Sequence, residues 1–196
     1  MIPLPVHPGA EGSQPVILQL PGWRNSGPDH WQSRWEALYG DIRVEQHDWE
    51  CPRRGDWMAR LDEVVQSQAR PVVLVAHSLG CLLVAAWASV SRHTAQVCGA
   101  LLVAPGDVEV DGGPVPPLPG WRPIVRQPLP FPSVLVGSQN DPYCTLDRAR
   151  QMAADWGSQW HDLGPYGHIN AESGLGDWPE GRQWLQPWLA PHLMNR

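Results

Sequence analysis

The stretch Val72–Val84, VVLVAHSLGCLLV, constrains the fold more than any other part of this chain. An apolar, β-branched run stops abruptly at His77-Ser78-Leu79-Gly80, and a second apolar run, Cys81–Ala88, follows without a break. The first run suits a strand buried on both faces, and the second suits a buried helix. A serine between two buried elements fits a nucleophile elbow, the tight strand-to-helix turn that lifts Ser Oγ clear of a sheet. Such a turn needs small residues two before and two after the serine, because its backbone is strained and the helix packs close on the strand. Gly80 meets the second requirement; Ala76 stands where the pattern has glycine and adds one methyl. A short Gly/Ser motif by itself fits an ordinary βα turn equally well. The buried strand before it and the buried helix after it favour the elbow.

The rest of the chain alternates strand and helix signals around this centre. Met1–Gln14 is rich in Pro and Gly and reads as a flexible arm, leaving 15–196 as one domain. Val16–Leu20 reads as a strand ending in the turn Pro21-Gly22-Trp23. Asp29 is placed to cap a helix to about Tyr39, with Trp31, Trp35 and Leu38 at helical spacing. Ile42–Gln46 is a weaker strand, and Asp56–Gln68 an amphipathic helix with Trp57, Leu61, Val64 and Val65 on one face. The helix after Ser78 is expected to run to about Ser91. Val97–Ala104 and Ser133–Gly137 read as buried strands, Thr145–Trp156 as a helix and Gln159–Leu163 as a short strand. Asp107–Pro132 has no helical period and reads as a long irregular connection of the kind that is usually functional or mobile. Trp178–Leu189 is a last helix, interrupted or bent at Pro187. This order implies an α/β domain: a mostly parallel sheet of about six strands with helices on both faces. Ligands of such sheets bind at the carboxyl ends of the strands, near the switch point. Trp23, Ser78, Asp107, Asp141 and His168 all follow strands and would meet at that edge.

These residues carry a recognisable chemistry. A serine hydroxyl needs a base to remove its proton, and the base needs a third group to orient it. Ser78, Asp141 and His168 follow one another in the order Ser, Asp, His, which is the α/β-hydrolase order. His168 lies beside Gly167 in a loop suited to dropping an imidazole onto the serine. His77 adjoins Ser78, but neighbouring side chains in such a turn diverge, so it reads as structural support. His30 reads as a cap or a packing residue. His47 and His161 end weak strands and are alternative bases. Asp107 competes with Asp141 for the acid; the Asn140-Asp141-Pro142 turn favours Asp141. An oxyanion needs two backbone donors. One is the N–H of Leu79, the residue after the nucleophile. The other is the N–H of Trp23, provided that Val16–Leu20 lies beside the Ser78 strand.

Composition removes several other chemistries. All 14 basic residues are Arg, so Schiff-base, P-loop and Ser–Lys mechanisms have no lysine to work with. The net charge is −6 and no basic stripe occurs, which argues against a nucleic-acid partner. No apolar run is long enough to span a membrane. The stretch MIPLPVHPGAEGSQ lacks a basic n-region and an apolar h-region, so no signal peptide is expected. No metal-ligand spacing of the H-E-x-x-H kind is present, so neither a metal nor another cofactor is expected. Twelve Trp stand against one Phe. Most are expected to pack, while Trp23, Trp121 and Trp178 are candidate pocket walls for an apolar acyl or aryl group.

Four stretches resemble the small serine hydrolases of the retinoblastoma-binding-protein-nine family: LPGWRNSGPDHWQSRWE (20–36), VLVAHSLGC (73–81), PLPFPSVLVGSQNDPYC (128–144) and GPYGHINAESGLGDWPEG (164–181). The resemblance implies a compact α/β-hydrolase without a separate lid domain. It also implies Ser78 as nucleophile, Asp141 as acid and His168 as base. It names no substrate.

The reading that follows is a cytoplasmic serine hydrolase that cleaves an ester or amide of a small substrate through an acyl-enzyme on Ser78. The rival reading is a non-catalytic interaction module on a hydrolase scaffold, with a protein partner, since fold does not dictate function. Haloalkane or epoxide chemistry on this fold needs a carboxylate at position 78, and Ser78 rejects it. Cys51, Cys81, Cys98 and Cys144 form no C-x-x-C pair and fit a reducing compartment. Thiol titration of the unfolded protein without reductant should find all four free; two or fewer would reveal a disulfide.

Overall fold

The computed structural model describes residues 14–112, 118 and 120–189. Except for Gln14, the arm expected over Met1–Gln14 lies outside the described residues. These form one domain around a six-stranded, all-parallel sheet. The strands are β1 (Val16–Leu20), β2 (Ile42–Arg43), β3 (Val72–His77), β4 (Val97–Val103), β5 (Ser133–Gly137) and β6 (Gln159–Asp162). Their order is β2-β1-β3-β4-β5-β6, so the chain reverses its direction of travel between β1 and β3. The crevice at that reversal opens beyond the carboxyl ends of β1 and β3, where Trp23 and Ser78 follow.

The apolar runs become strands because both faces are covered. Val72, Leu74 and Ala76 of β3 point into one core, and Val73 and Val75 into the other. Ala100 and Leu102 of β4 alternate with Leu101 and Val103 in the same way. Helices α2 (Arg54–Gln66), α3 (Leu79–Ala88) and α4 (Leu146–Trp156) cover the first face. Helix α1 (Trp31–Tyr39) covers the second, with the short α5 (Pro179–Gln183) and α6 (Gln186–Leu189). No helix among the described residues is long and apolar enough to cross a membrane.

Several boundaries differ from expectation for local reasons. His30, not Asp29, caps α1: its Nδ1 accepts from the Gln32 amide at 3.1 Å. Of the three residues at helical spacing in α1, Trp31 and Trp35 are buried and Leu38 is 53% exposed. The second strand is only two residues long. The last helix is two pieces, because Pro187 has no N–H to donate and so sits in the first turn of a new helix.

Helix α3 rests on β1 with almost no clearance. A Cβ built on Gly80 would come 2.2 Å from the Leu20 carbonyl oxygen. That contact is with backbone and cannot be relieved by a rotamer change. Gly80→Ala should therefore force α3 off β1 and cost about 1–3 kcal/mol or more. Urea unfolding monitored by Trp fluorescence checks it; an unchanged midpoint would contradict the close packing.

Candidate active site

The turn after β3 has the strain that the sequence led us to expect. Ser78 has φ 55° and ψ −120°, a conformation rare for a residue with a β-carbon. Its amide donates to the Val103 carbonyl of β4 at 3.0 Å, and its carbonyl accepts from the Cys81 amide at 3.0 Å. The elbow is thus tied to the sheet on one side and to α3 on the other. Ala76 is fully buried in its strand, paired with Leu20 of β1 and Leu102 of β4, so its extra methyl is accommodated in the core.

The loops after β5 and β6 meet beside Ser78. His168 Nε2 lies 2.9 Å from Ser78 Oγ. His168 Nδ1 lies 2.8 and 3.0 Å from the two carboxylate oxygens of Asp141. A carboxylate only accepts, so Nδ1 carries the proton and Nε2 is left to accept from the serine hydroxyl. The side chains of His168 and Asp141 are 9% and 3% exposed, which shields the pair from water. The Tyr143 amide also donates to Asp141 at 2.8 Å, and the Tyr143 ring lies against the imidazole at 4.5 Å between centroids. Asp107, the rival acid, is paired instead with Arg148 at 3.1 Å and accepts from the Glu109 amide.

The loop carrying His168 is pinned by side chains from three elements. His77 Nε2 donates to the His168 carbonyl at 2.9 Å. Trp31 Nε1 of α1 donates to the Ile169 carbonyl at 2.8 Å. Beyond β5, Asn140 Oδ1 accepts from the Gly167 amide and Ser138 Oγ from the Tyr166 amide. The expectation that His77 is structural support acquires a physical form here: it ties the residue before Ser78 to the backbone of His168.

Ser78 sits in a cavity of about 320 Å³. Trp23, Val108, Leu118 and Tyr143 supply apolar wall, and Arg24, Asn25, Asn170 and Glu172 supply polar rim. Of the three tryptophans expected to form walls, only Trp23 borders the cavity. Trp121 is 1% exposed, edge-on to Trp57, with its Nε1 donating to the Pro52 carbonyl. Trp178 is 2% exposed and packs among Trp31, Trp35 and Trp184. Both are core residues, since an indole buries more surface by packing between elements than by facing a cavity. The lining is accordingly mixed rather than aromatic and neutral. Sequence reading missed Asn25, Tyr143 and Asn170; the Asn-Ser-Gly-Pro and Asp-Pro-Tyr turn clusters were the available signals. Among the described residues, no cluster of three or more His, Cys, Asp or Glu is placed to hold a metal ion.

The family model described as serine hydrolase matches residues 17–187 of the chain. The chain belongs to the serine hydrolase family. This hydrolase is 30% identical to a YdeN-like hydrolase from Pectobacterium atrosepticum, over 89% of this chain and 90% of that one, with a TM-score of 0.77. It shares its fold with the ydeN gene product of Bacillus subtilis, at 17% identity over 89% and 98% of the chains and a TM-score of 0.68. It also shares the fold of an esterase from Rhodococcus, at 14% identity over 92% and 93% of the chains and a TM-score of 0.62. No curated protein matches the sequence.

Around the hydrolase site the other two histidines are held neutral. Burial pushes His30 down to about 3, helped by His168 and Arg43. Burial also carries His77 well below the usual histidine range, with His30 and His168 adding to it. A histidine whose folded pKa is depressed contributes stability that is present above its unfolded pKa of about 6.5 and is lost as pH falls below it. Each such group costs at most about 1.4 kcal/mol per pH unit in that window. Urea midpoints should therefore fall between pH 7 and pH 5. His30→Asn, which retains a capping oxygen, should remove about half of that slope. An identical slope in the variant would show that His30 does not titrate on unfolding.

Proposed function

We propose that this serine hydrolase cleaves an ester or amide bond of a small substrate through an acyl-enzyme on Ser78. The observation that carries the reading is the hydrogen-bonded chain from Ser78 Oγ through His168 to Asp141, with Ser78 and His168 lining a cavity. The resemblance of four stretches to the retinoblastoma-binding-protein-nine family supports the same three roles. A reducing, cytoplasmic setting goes with this reading, supported by four cysteines that are all free thiols.

The mechanism follows from the donors and acceptors. Ser78 Oγ attacks the substrate carbonyl carbon while its proton passes to His168 Nε2. Asp141 accepts from Nδ1–H, which keeps the reactive tautomer and stabilises the imidazolium. The carbonyl π electrons move to oxygen, and the resulting oxyanion is bound by the amides of Trp23 and Leu79. Both residues border the cavity with Ser78. Neither amide donates to a protein acceptor among the described residues, so both are free for this use. A Cβ on Gly22 would lie 2.7 Å from Ser78 Cβ and 3.2 Å from the Leu79 amide nitrogen. Only a glycine there lets the Trp23 turn come this close to the elbow. Collapse of the intermediate breaks the C–O or C–N bond, and the leaving alcohol or amine takes the proton from His168. Water then repeats the sequence: His168 takes its proton, hydroxide adds to the acyl carbon, and Ser78 leaves with the proton restored.

With p-nitrophenyl acetate, nitrophenolate release should show a burst near one equivalent per chain when deacylation is the slower step. Ser78→Ala should abolish both the burst and labelling by a fluorophosphonate. His168→Ala should lower kcat by up to about 10⁶ and Asp141→Asn by about 10⁴, with the fold intact by circular dichroism. A mild Asp141→Asn with a dead Asp107→Asn would reverse the choice of acid. A wild type that shows neither burst nor labelling, and no turnover across short esters and aminoacyl amides, would favour the interaction-module reading.

A further inference from the structure

The turn after β1 bears both the Trp23 amide and the close approach of Gly22 to Ser78, yet its backbone is unfavourable. Arg24 and Asn25 both have φ 66°, the left-handed region that residues with a β-carbon disfavour. Two successive residues in that region need external support. On one flank the support comes from the 48–50 turn. Trp23 Nε1 donates to the Glu50 carbonyl at 2.9 Å, the Arg24 amide to the Trp49 carbonyl at 3.0 Å, and Arg24 Nε pairs with Glu50 at 3.2 Å.

On the other flank Ser26 is tied to α1, its Oγ donating to Gln32 Oε1 at 2.8 Å and its carbonyl accepting from Ser33 Oγ at 3.0 Å, and its amide donates to Asn25 Oδ1 at 2.8 Å. The guanidinium of Arg43 gathers these groups. Nη1 donates to Asn25 Oδ1 at 2.7 Å and to the Ser26 carbonyl at 3.0 Å. Nη2 donates to Ser33 Oγ at 2.7 Å, and Nε to Glu36 Oε1 at 2.8 Å, both in α1. The side chain is only 12% exposed, so these contacts are little weakened by water. Arg43 is also rooted: it lies in β2, in register with Gln19 of β1. It therefore joins the sheet, the first helix and the turn that carries Trp23. A lysine could not do this, because a point-charge ammonium lacks the planar fork that reaches four acceptors at once.

We propose that Arg43 is a positioning residue for acyl transfer: it holds the Asn25–Ser26 side of the turn so that the Trp23 amide faces the developing oxyanion. This rests on the proposed role of the Trp23 amide, and Arg43 itself does not touch substrate. The energetic lever is geometric. Donors stabilise an oxyanion only when preplaced at hydrogen-bond distance, and small displacements cost large factors in rate. Releasing the clamp loosens one of two donors without deleting it.

The test uses the burst assay on the full chain, with rates expressed per active site from the burst amplitude. Arg43→Gln should lower kcat and kcat/KM together by about 10- to 100-fold, less than the 10²–10³ from removing a donor outright. KM should stay within about threefold, because the ground-state carbonyl makes little use of the donors. Arg43→Lys should not restore the rate. Asn25→Ala should show a weaker loss of the same kind, whereas Asn25→Asp, which still accepts from Arg43, should recover most of it. In the double variant Arg43→Gln/Asn25→Ala the losses should be less than multiplicative, since both variants break the shared contact between Arg43 and Asn25. A folded Arg43→Gln with wild-type kcat per site overturns the proposal. So does a loss confined to burst amplitude, which would mean a role in folding alone. Should Arg43→Gln fail to fold, the Asn25 pair decides, and equal wild-type rates in Asn25→Ala and Asn25→Asp overturn the clamp. A wild type without burst or fluorophosphonate labelling overturns the acyl-enzyme reading and this inference together; an active wild type isolates the inference.

Discussion

The close seating of α3 on β1 is the constraint on which the site depends. Gly80 leaves the Leu20 carbonyl room that any side chain would fill. That contact sets where the first turn of α3 stands and so where the Leu79 amide points. The turn after β1 also lies close on the elbow, where a Cβ on Gly22 would come 2.7 Å from Ser78 Cβ. The Ser78 amide bond to Val103 adds β4 to the assembly. Three adjacent strands therefore fix one strained residue, and the strain persists because the surrounding packing leaves it no alternative.

The convergent loops are held by a recurring device. Indole N–H groups of Trp23, Trp31, Trp35, Trp57, Trp121 and Trp156 each donate to a backbone carbonyl, and Trp87 donates to Asp62. In most of these the ring is buried in the core while the N–H reaches a connecting segment. A tryptophan suits this because one end is apolar and the other is a donor. The twelve Trp of the chain thus do more than fill volume: seven of them also tie helices, strands and turns to one another. Where such rings must lie against a strand or helix, glycine makes the room. A Cβ on Gly99 would meet the Trp188 ring at 2.2 Å, and one on Gly181 would meet Trp178 at 2.4 Å.

Electrostatics around the site separate roles among chemically identical groups. Three histidines lie ring to ring, His30 on His77 at 4.7 Å and His77 on His168 at 4.8 Å. Only His168 has a carboxylate on one nitrogen and a serine on the other. Burial keeps His30 and His77 neutral, and each is left with a fixed hydrogen-bonding role. His30 accepts at the start of α1, and His77 donates to the His168 carbonyl. Likewise Asp107 is neutralised by Arg148, which leaves Asp141 to the imidazole.

The buried strands, the elbow at Ser78 and the Ser, Asp, His order were legible in the sequence because they rest on local rules. Alternation of β-branched residues, a small residue beside a turn, and position after a strand are all written along the chain. The sites of Trp121 and Trp178 were not legible, because a tryptophan looks the same whether it lines a cavity or packs between helices. Arg43 carries no local signal either: its partners Asn25, Ser26, Ser33 and Glu36 become neighbours only when β2 pairs with β1 and α1 folds across them. The sequence by itself determined which residues could carry the chemistry. Tertiary structure alone decided which tryptophans reach the cavity and what holds the Trp23 turn, because those choices depend on distances between segments far apart in the chain.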